Sequence, residues 1–191
     1  MFSLNPKSTA LVLIDLQKGI LARPLAPHGA AEVIENSVRL GTALSRAGGV
    51  VAPVHVAFSP DGGDRLRQEV ETPNPPAPLP PDWSDLVPEI AGLAANFVIV
   101  KRQWGAFHGT ELDLQLRRRG VDTIVLTGVA TNFGVESTAR EAWQHGYSVV
   151  VAEDAVSSMA EAMHKFSIEA ILPRIARIRS TAEILAALAG K

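Results

Sequence analysis

Three positions in this chain follow apolar runs that have the character of buried strands, and their residue types could do chemistry. Asp15 comes directly after LVLI, Lys101 ends FVIVK, and the segment GVATNFGVESTAR follows TIVLT. A carboxyl group at the mouth of an apolar strand can act as a general acid or base. An ammonium group beside it can pair with it or hold an anionic substrate. These positions predict a site for acid–base chemistry.

Each of these residues also has a structural interpretation. Asp15 could cap a helix or hydrogen-bond a loop, and Lys101 could be a strand-end lysine whose stem lies on apolar surface. Gln17 could orient a substrate or be exposed. Trp104 and Phe107 lie in the loop RQWGAFHGT, where aromatic side chains could line a pocket or cover the core.

The sequence lacks the spacing patterns of metal and nucleotide sites. Without cysteine the chain has no disulfide, no thiolate metal site and no cysteine nucleophile, and its five histidines show no HExxH pattern. The phosphate-binding patterns GxGxxG and GxxxxGK[ST] and the nucleophile elbow GxSxG are missing. We therefore expect no cofactor and no metal, although histidines that are distant in sequence could meet in the fold. These histidines are His28, His55, His108, His145 and His164.

Six β-like runs alternate with helix-like segments and would position these residues. The alternation predicts an α/β fold with a parallel sheet covered by helices on both faces. The runs are Ala10–Asp15, Val50–Phe58, Phe97–Lys101, Thr123–Thr127, Tyr147–Asp154 and Ile175–Ser180. Pro53 argues against a fully paired central position for the second run. Ligands bind such sheets beyond the carboxyl ends of the strands, where Asp15, Lys101 and the GVAT segment fall.

Helix signals fill the segments between the runs. Apolar spacing predicts a helix over Ala30–Arg46, Thr110 is a candidate N-cap, and Ser180 with Glu183 forms a capping-box pattern. The proline-rich stretch Thr72–Pro81 is expected to be an extended surface loop within one domain spanning residues 1–191, because the pieces on either side are too small to stand alone.

Composition restricts the classes of partner. The chain is 47% hydrophobic with a formal net charge of −2, and acids and bases are interspersed. With this charge and distribution we predict no basic surface that would bind nucleic acid. No run approaches the roughly 18 apolar residues of a membrane span. The first ten residues lack the features of a signal peptide. We expect a cytoplasmic protein that acts on a small-molecule substrate.

The motifs together resemble those of the isochorismatase-like hydrolases, the superfamily that includes nicotinamidases and other cysteine hydrolases. The resemblance covers ALVLIDLQKGI, KRQWGAFHGTELDLQLRRRGVDTIVLTGVATNFGVESTAR and HGYSVVVAEDA, and it is greatest to the uncharacterised YecD-like branch. It implies a Rossmann-like three-layer α/β/α sandwich with strand order 3-2-1-4-5-6. Strands 1 and 4 would then border the switch point of the sheet.

The same resemblance implies roles for particular residues. Asp15 and Lys101 match two catalytic residues of the family, and the third, a nucleophilic cysteine, falls on Gly134. The acyl-enzyme route of the amidase branch needs that cysteine. True isochorismatases resemble this chain in having glycine there, and they protonate a vinyl ether from the aspartate before water adds. We therefore expect acid–base hydrolysis of a small metabolite without a covalent intermediate.

Further features follow from the resemblance. It implies a cis peptide bond between Val129 and Ala130, and assembly into a dimer or larger homo-oligomer. The amidase branch places a metal after the second strand, but VHVAFSPDGGD offers only His55, so we expect no metal there. The residues expected to bind substrate are Gln17, Trp104, Phe107, Val129, Ala130, Thr131, Asn132 and Phe133.

Two alternatives stay open. The chain could be a ligand-binding or structural protein that kept the fold and lost turnover. It could also be an amidase that uses Thr131 or Ser137 as the nucleophile, although the sequence places no histidine beside either residue as a base.

Overall fold

A computed structural model describes residues 2–72 and 78–190. Six parallel strands form one sheet in the order β3-β2-β1-β4-β5-β6, which confirms the predicted α/β fold and the order 3-2-1-4-5-6. The strands are β1 (Thr9–Ile14), β2 (Val50–Val56), β3 (Ile99–Lys101), β4 (Thr123–Val129), β5 (Ser148–Ser157) and β6 (Arg177–Arg179). The α-helices are α1 (Lys18–Leu21), α2 (Ala30–Arg46), α3 (Pro88–Ala91), α4 (Leu112–Arg118), α5 (Glu136–Gln144), α6 (Glu161–Phe166) and α7 (Thr181–Leu188).

Strand β1 shows why its sequence is a continuous apolar run. All six of its residues are buried. Because side chains alternate between the two faces of a strand, Val12 and Ile14 join one core while Leu11 and Leu13 join the other. The first core includes residues of α4 and α5, and the second includes residues of α2, α3 and α7. The sheet is therefore the middle layer of a three-layer sandwich.

β2 lies inside the sheet, but it is not fully paired at Pro53, as that proline predicts. β2 pairs with β1 through Pro53 itself and with β3 only from Val54 onward. Val51, two residues earlier and on the same edge, donates its N–H to the Asn96 side chain at 2.8 Å. The missing N–H of Pro53 therefore faces the β3 edge just before β3 begins, where no strand partner requires it.

Gly128 allows β4 to approach β1 closely at the edge that holds the site. Its φ is 109°, and a Cβ at this position would lie 2.0 Å from the carbonyl oxygen of Ile14. Only glycine fits both constraints. The approach brings the segment after β4 against the end of β1, where Asp15 follows.

Several element ends differ slightly from those predicted. Helix α4 begins at Leu112 rather than beside Thr110, although the Thr110 hydroxyl still accepts from the Leu112 N–H at 3.2 Å. The capping box of Ser180 and Glu183 is present at the start of α7. Half of the expected Thr72–Pro81 loop, residues 73–77, lies outside the described residues.

No helix in the described part of the chain is long and apolar enough to cross a membrane.

Candidate active site

Asp15 and Lys101 meet at the carboxyl edge of the sheet. The Lys101 Nζ donates to Asp15 Oδ2 at 2.8 Å and to the carbonyl oxygen of Trp104 at 2.6 Å. Both side chains are buried, with 1% of the lysine and 10% of the aspartate side chain exposed. β1 and β3 flank β2, and Asp15 binds the end of β2 through an N–H bond to Val54 O at 2.8 Å. The fold therefore brings together two residues that lie 86 positions apart.

The environment of the Asp15 carboxyl group favours its protonated form. Burial raises the pKa of Asp15 from 3.8 to about 6, while the charge and hydrogen bond of Lys101 act in the opposite direction. Its second oxygen, Oδ1, is buried and has no hydrogen-bond partner within the described residues. A carboxyl group with a pKa close to neutral pH and one unused oxygen is suited to giving or taking a proton.

Gly134 faces this pair. It lies in a short π-helical turn, Thr131–Val135, that joins β4 to α5. A Cβ at Gly134 would lie 3.0 Å from Asp15 Oδ2 and 3.3 Å from Lys101 Nζ, and 2.9 Å from the Cγ2 of Ile14. The structure therefore brings the three predicted catalytic positions together, with Gly134 packed closely against the pair.

The turn itself carries the other residues of the GVAT motif. The peptide bond between Val129 and Ala130 is cis. Ala130 accepts hydrogen bonds from the N–H groups of Phe133 and Val135 at 3.0 and 3.2 Å. Asn132 accepts a hydrogen bond from the Ser158 hydroxyl, so its side chain ties the turn to the segment that follows β5.

Two aromatic residues form a rim next to the pair. The Trp104 and Phe133 rings lie 4.8 Å apart between centroids, and 60% of Trp104 is exposed. Phe133 precedes Gly134, and the Trp104 carbonyl oxygen binds Lys101 Nζ. The two rings therefore pack against each other, and their contact with a substrate stays a prediction.

Glu141 of α5 fixes the loop that carries Trp104. Its carboxylate accepts from the Phe107 N–H at 2.9 Å, and it lies so close to Gly105 that a Cβ there would be 2.3 Å from Oε2. Gln103 also bonds the carbonyl oxygens of Gly105 and His108, at 3.0 and 2.7 Å. The main chain of this loop is thus held on both sides of Trp104.

Phe107 has the contacts of a core residue rather than of a pocket wall. It is 5% exposed, and its ring packs against His145 at 5.1 Å and Tyr147 at 5.8 Å. A surface groove does pass beside it, but that groove is not lined by Asp15, Lys101 or Gly134. The groove is lined by Phe107, His108, Glu141, Gln144 and His145. The contacts favour the alternative that Phe107 covers the core.

Gln17 is neither exposed nor directed at the site. It is fully buried, and its Nε2 donates to the carbonyl oxygens of Val56 and Trp83, both at 3.1 Å. Its Oε1 accepts from the Val56 N–H at 2.8 Å. Both amide protons are used to join three segments of backbone, so the expected contact with substrate is replaced by a structural role.

Thr131 has a histidine partner that sequence spacing did not reveal. Its Oγ1 lies 2.9 Å from the Nδ1 of His164, which comes from α6. The expectation that no histidine stands beside Thr131 is therefore wrong. Burial lowers the pKa of His164, and the hydrogen bond and charge of Glu153 oppose that shift. Ser137 forms no hydrogen bond to a histidine among the described residues.

The region after β2 does not fit the metal that the amidase branch carries there. The Nδ1 of His55 lies 2.7 Å from the carbonyl oxygen of Ser84. Asp64 accepts hydrogen bonds from Ser59 and forms an ion pair with Arg102. Asp61 accepts from Ser59 and from the Gly63 N–H. A single histidine and two carboxylates that are already engaged are not a metal-ligand set.

Comparison with known proteins agrees with this fold and geometry. Residues 9–183 match the family model described as the Isochorismatase domain. Over 188 residues the chain is 50% identical to the uncharacterized isochorismatase family protein YecD of Escherichia coli O157:H7, with 98% of this chain and 100% of that protein covered. It is 31% identical to the ureidoacrylate amidohydrolase RutB of Pantoea ananatis, over 79% of this chain and 70% of that protein.

A solved structure also shows similarity to this family. The isochorismatase family protein of Burkholderia thailandensis superposes with a TM-score of 0.93 at 43% identity, covering 98% of each chain. The chain belongs to the isochorismatase family. Its relatives include amidohydrolases, but the relative with 50% identity is uncharacterised, so the substrate does not follow from the family.

Proposed function

We propose that this chain hydrolyses a small metabolite by acid–base catalysis, without a covalent intermediate. Asp15 is the general acid and base, and Lys101 is its positively charged partner. The observation that carries the proposal is the buried Asp15–Lys101 pair, which faces the Cα of Gly134. The chain has no cysteine, so the family's cysteine nucleophile is absent, and the proposal assigns the chemistry to the proton of Asp15.

The reaction needs one proton and one water molecule. Asp15 gives its proton to the substrate, which becomes a cation at the carbon that water attacks. Lys101, 2.8 Å away, stabilises the carboxylate that Asp15 becomes. Water adds to this carbon and returns one proton to Asp15, which restores the acid. The bond between this carbon and the leaving oxygen then breaks, the leaving oxygen takes the remaining hydroxyl proton, and the carbon becomes a carbonyl group. Because the pKa of Asp15 is about 6, both of its protonation states are populated close to neutral pH.

The reacting group of the substrate would lie next to Asp15 on the side of Gly134, where glycine keeps the neighbouring atoms from being crowded further. In this proposal the Trp104 and Phe133 rings form one wall, and the main chain of Val129 and Ala130 forms part of the floor. An apolar wall with a few polar groups at one end is typical of sites for small organic molecules.

An amidase that uses Thr131 is a second candidate, because His164 stands beside its hydroxyl and Glu153 beside the histidine. This is the order of nucleophile, base and orienting acid found in triads. However, Thr131 has no exposed surface, so a substrate carbonyl could not reach its hydroxyl without opening the turn. Asp15 keeps 7% of its surface exposed, although its Oδ1 is buried, so it is more accessible than Thr131 by a small margin only. A binding protein without turnover remains the third candidate.

Turnover assays on the purified chain separate the three candidates. We expect hydrolysis of isochorismate or a related enol ether, and no release of ammonia from nicotinamide or ureidoacrylate. Ammonia release that is lost in Thr131→Val would instead support the threonine amidase. No turnover of either substrate class, with binding detected by calorimetry, would support the binding protein.

Gly134→Cys, measured in the same assays, should not become an efficient amidase. The new Cβ would lie 2.9 Å from the Cγ2 of Ile14, a stiff and buried β-branched residue, so we expect a stability cost of about 1–3 kcal/mol. It would also fill the volume assigned to the substrate, so isochorismatase-type turnover should fall. Efficient nicotinamidase turnover by this variant would show that the pocket is already shaped for amides.

We also propose that the chain is one domain that acts as a homo-oligomer in the cytoplasm. Several large apolar side chains are exposed, among them Trp104, Trp143 and Phe166 at 60%, 54% and 63%. Apolar surface of this kind is often covered by a second copy. Light scattering at micromolar concentration should give at least about twice the chain mass of 20.3 kDa. A mass equal to that of one chain would contradict the proposal.

A further inference from the structure

Three side chains that are far apart in sequence meet behind the GVAT turn. The Nε2 atoms of His28 and His164 lie 3.1 and 3.2 Å from the same oxygen, Oε1 of Glu153. His28 precedes α2, Glu153 lies in β5 and His164 lies in α6. Each offers one ligand atom, and the three atoms lie within 4.8 Å of one another. We propose that these residues bind a divalent transition-metal ion, with zinc as the best match.

Two of the three distances between ligand atoms are close to those around such an ion, and all three are at most 4.8 Å. Zinc binds imidazole nitrogen and carboxylate oxygen at about 2.0–2.2 Å, and in a tetrahedral site adjacent ligand atoms are then about 3.3–3.5 Å apart. The two nitrogen-to-oxygen distances fall just below this range. The imidazole rings are nearly perpendicular, with an angle of 77° between them.

The other nitrogen of each histidine has a partner that would orient it as a ligand. The Nδ1 of His28 lies 3.0 Å from a carboxylate oxygen of Glu32, and the Nδ1 of His164 lies 2.9 Å from Thr131 Oγ1. When each Nδ1 carries the proton and donates to its oxygen partner, each Nε2 presents its lone pair to the centre. A carboxylate or hydroxyl behind the outer nitrogen is the usual arrangement around histidine ligands.

Backbone hydrogen bonds join two of the segments that carry the cluster. Ala26 and Ser158 exchange two hydrogen bonds, of 2.8 and 3.2 Å, which bind the segment before His28 to the segment after β5. The side chain of His164 is 4% exposed, whereas those of His28 and Glu153 are 18% and 38% exposed. An ion could therefore enter from the solvent side, and water could supply its fourth ligand.

The ligand set selects the class of ion. Two imidazoles and one carboxylate suit zinc and similar transition metals, while magnesium and calcium prefer oxygen ligands. The site is separate from Asp15 and Lys101, because no ligand contacts either residue. It touches the catalytic edge only through Thr131, the first residue of the turn that holds Gly134. A bound ion would fix the protonated Nδ1 of His164 as a donor, so His164 could not act as a base for Thr131.

Calorimetry with zinc tests the proposal on the full chain after removal of metals with a chelator. We expect one zinc ion per chain and a rise in melting temperature of about 5 °C or more at saturating zinc. Magnesium should produce neither effect. His28→Gln and Glu153→Gln each remove one ligand, and each should weaken zinc binding by about 10-fold or more. Both positions are partly exposed, so these variants should fold, which circular dichroism would verify.

His108→Gln is the matched control, because it removes an exposed histidine that lies outside the cluster. It should bind zinc as tightly as the parent chain. Zinc binding that is equal in the parent chain, His28→Gln and Glu153→Gln would overturn the proposal. So would a site that is lost in His108→Gln, or one that binds magnesium as tightly as zinc.

Discussion

Asp15→Asn should lower the rate of hydrolysis by about 10²- to 10⁴-fold. The substitution keeps the shape of the side chain and an oxygen that can accept from Lys101 Nζ, but it removes the proton that the reaction needs. The rate and the folded fraction should be measured on the same preparation. If Asp15 were only structural, turnover would instead fall in proportion to the folded protein. A folded, fully active variant would contradict the catalytic role.

Asp15→Asn should also change how the free energy of unfolding depends on pH. Because the pKa of Asp15 is raised from 3.8 to about 6, the folded chain binds its proton more tightly than the unfolded chain. Asp15 therefore lowers the free energy of unfolding as the pH rises through this range, by up to about 1.4 kcal/mol per pH unit. Urea unfolding between pH 4 and 7 should show that Asp15→Asn loses this contribution. An unchanged slope would mean that Asp15 is ionised throughout.

Lys101→Met should lower both the rate and the stability, and the stability loss should depend on pH. Without the ammonium group, the Asp15 carboxylate would lose its only hydrogen-bond donor in the described structure, and its pKa would rise further. At pH 5 the acid can stay protonated in the fold at little cost. At pH 8 the unfolded chain gains from ionisation and the folded chain does not, so the variant should be less stable there. We expect a loss of about 3 kcal/mol at pH 8.

The rate of Lys101→Met should fall by about 10²- to 10³-fold, as expected when one fixed group that stabilises developing charge is removed. Lys165→Met is the matched control, since its side chain is 64% exposed and its nearest acid, Glu169, is 3.9 Å away. The control should be as stable and active as the parent chain at both pH values. A loss of stability in Lys101→Met that is equal at pH 5 and pH 8 would show that the ion pair does not control the protonation of Asp15.

The sequence predicted the sheet and the central pair because both depend on local patterns. Apolar runs mark strands buried on both faces, and in a parallel sheet their carboxyl ends share one edge. Asp15 and Lys101 could therefore be placed together although 86 residues separate them. Strand order came from the family resemblance, and the structure confirms it.

Other features depend on contacts that spacing does not encode. His28 and Glu153 are 125 residues apart, and they meet where Ala26 and Ser158 pair their segments. Gln17 follows a strand as Asp15 does, yet its side-chain amide forms hydrogen bonds with the backbone of Val56. A sequence pattern cannot reveal such bonds. Pro53 correctly indicated a gap in the pairing of β2. The sequence did not show that this gap lies on the β3 side, because that depends on where β3 begins.

The main chain and the side chain of Trp104 have separate surroundings. Its main chain supplies a carbonyl oxygen to Lys101 and is fixed through Glu141, while its indole extends into solvent. Replacement of the indole would reshape the rim and leave the hydrogen bond to the ammonium group in place. Under the proposed function, a substitution at position 104 would therefore alter which substrates fit and leave the Asp15–Lys101 pair unchanged.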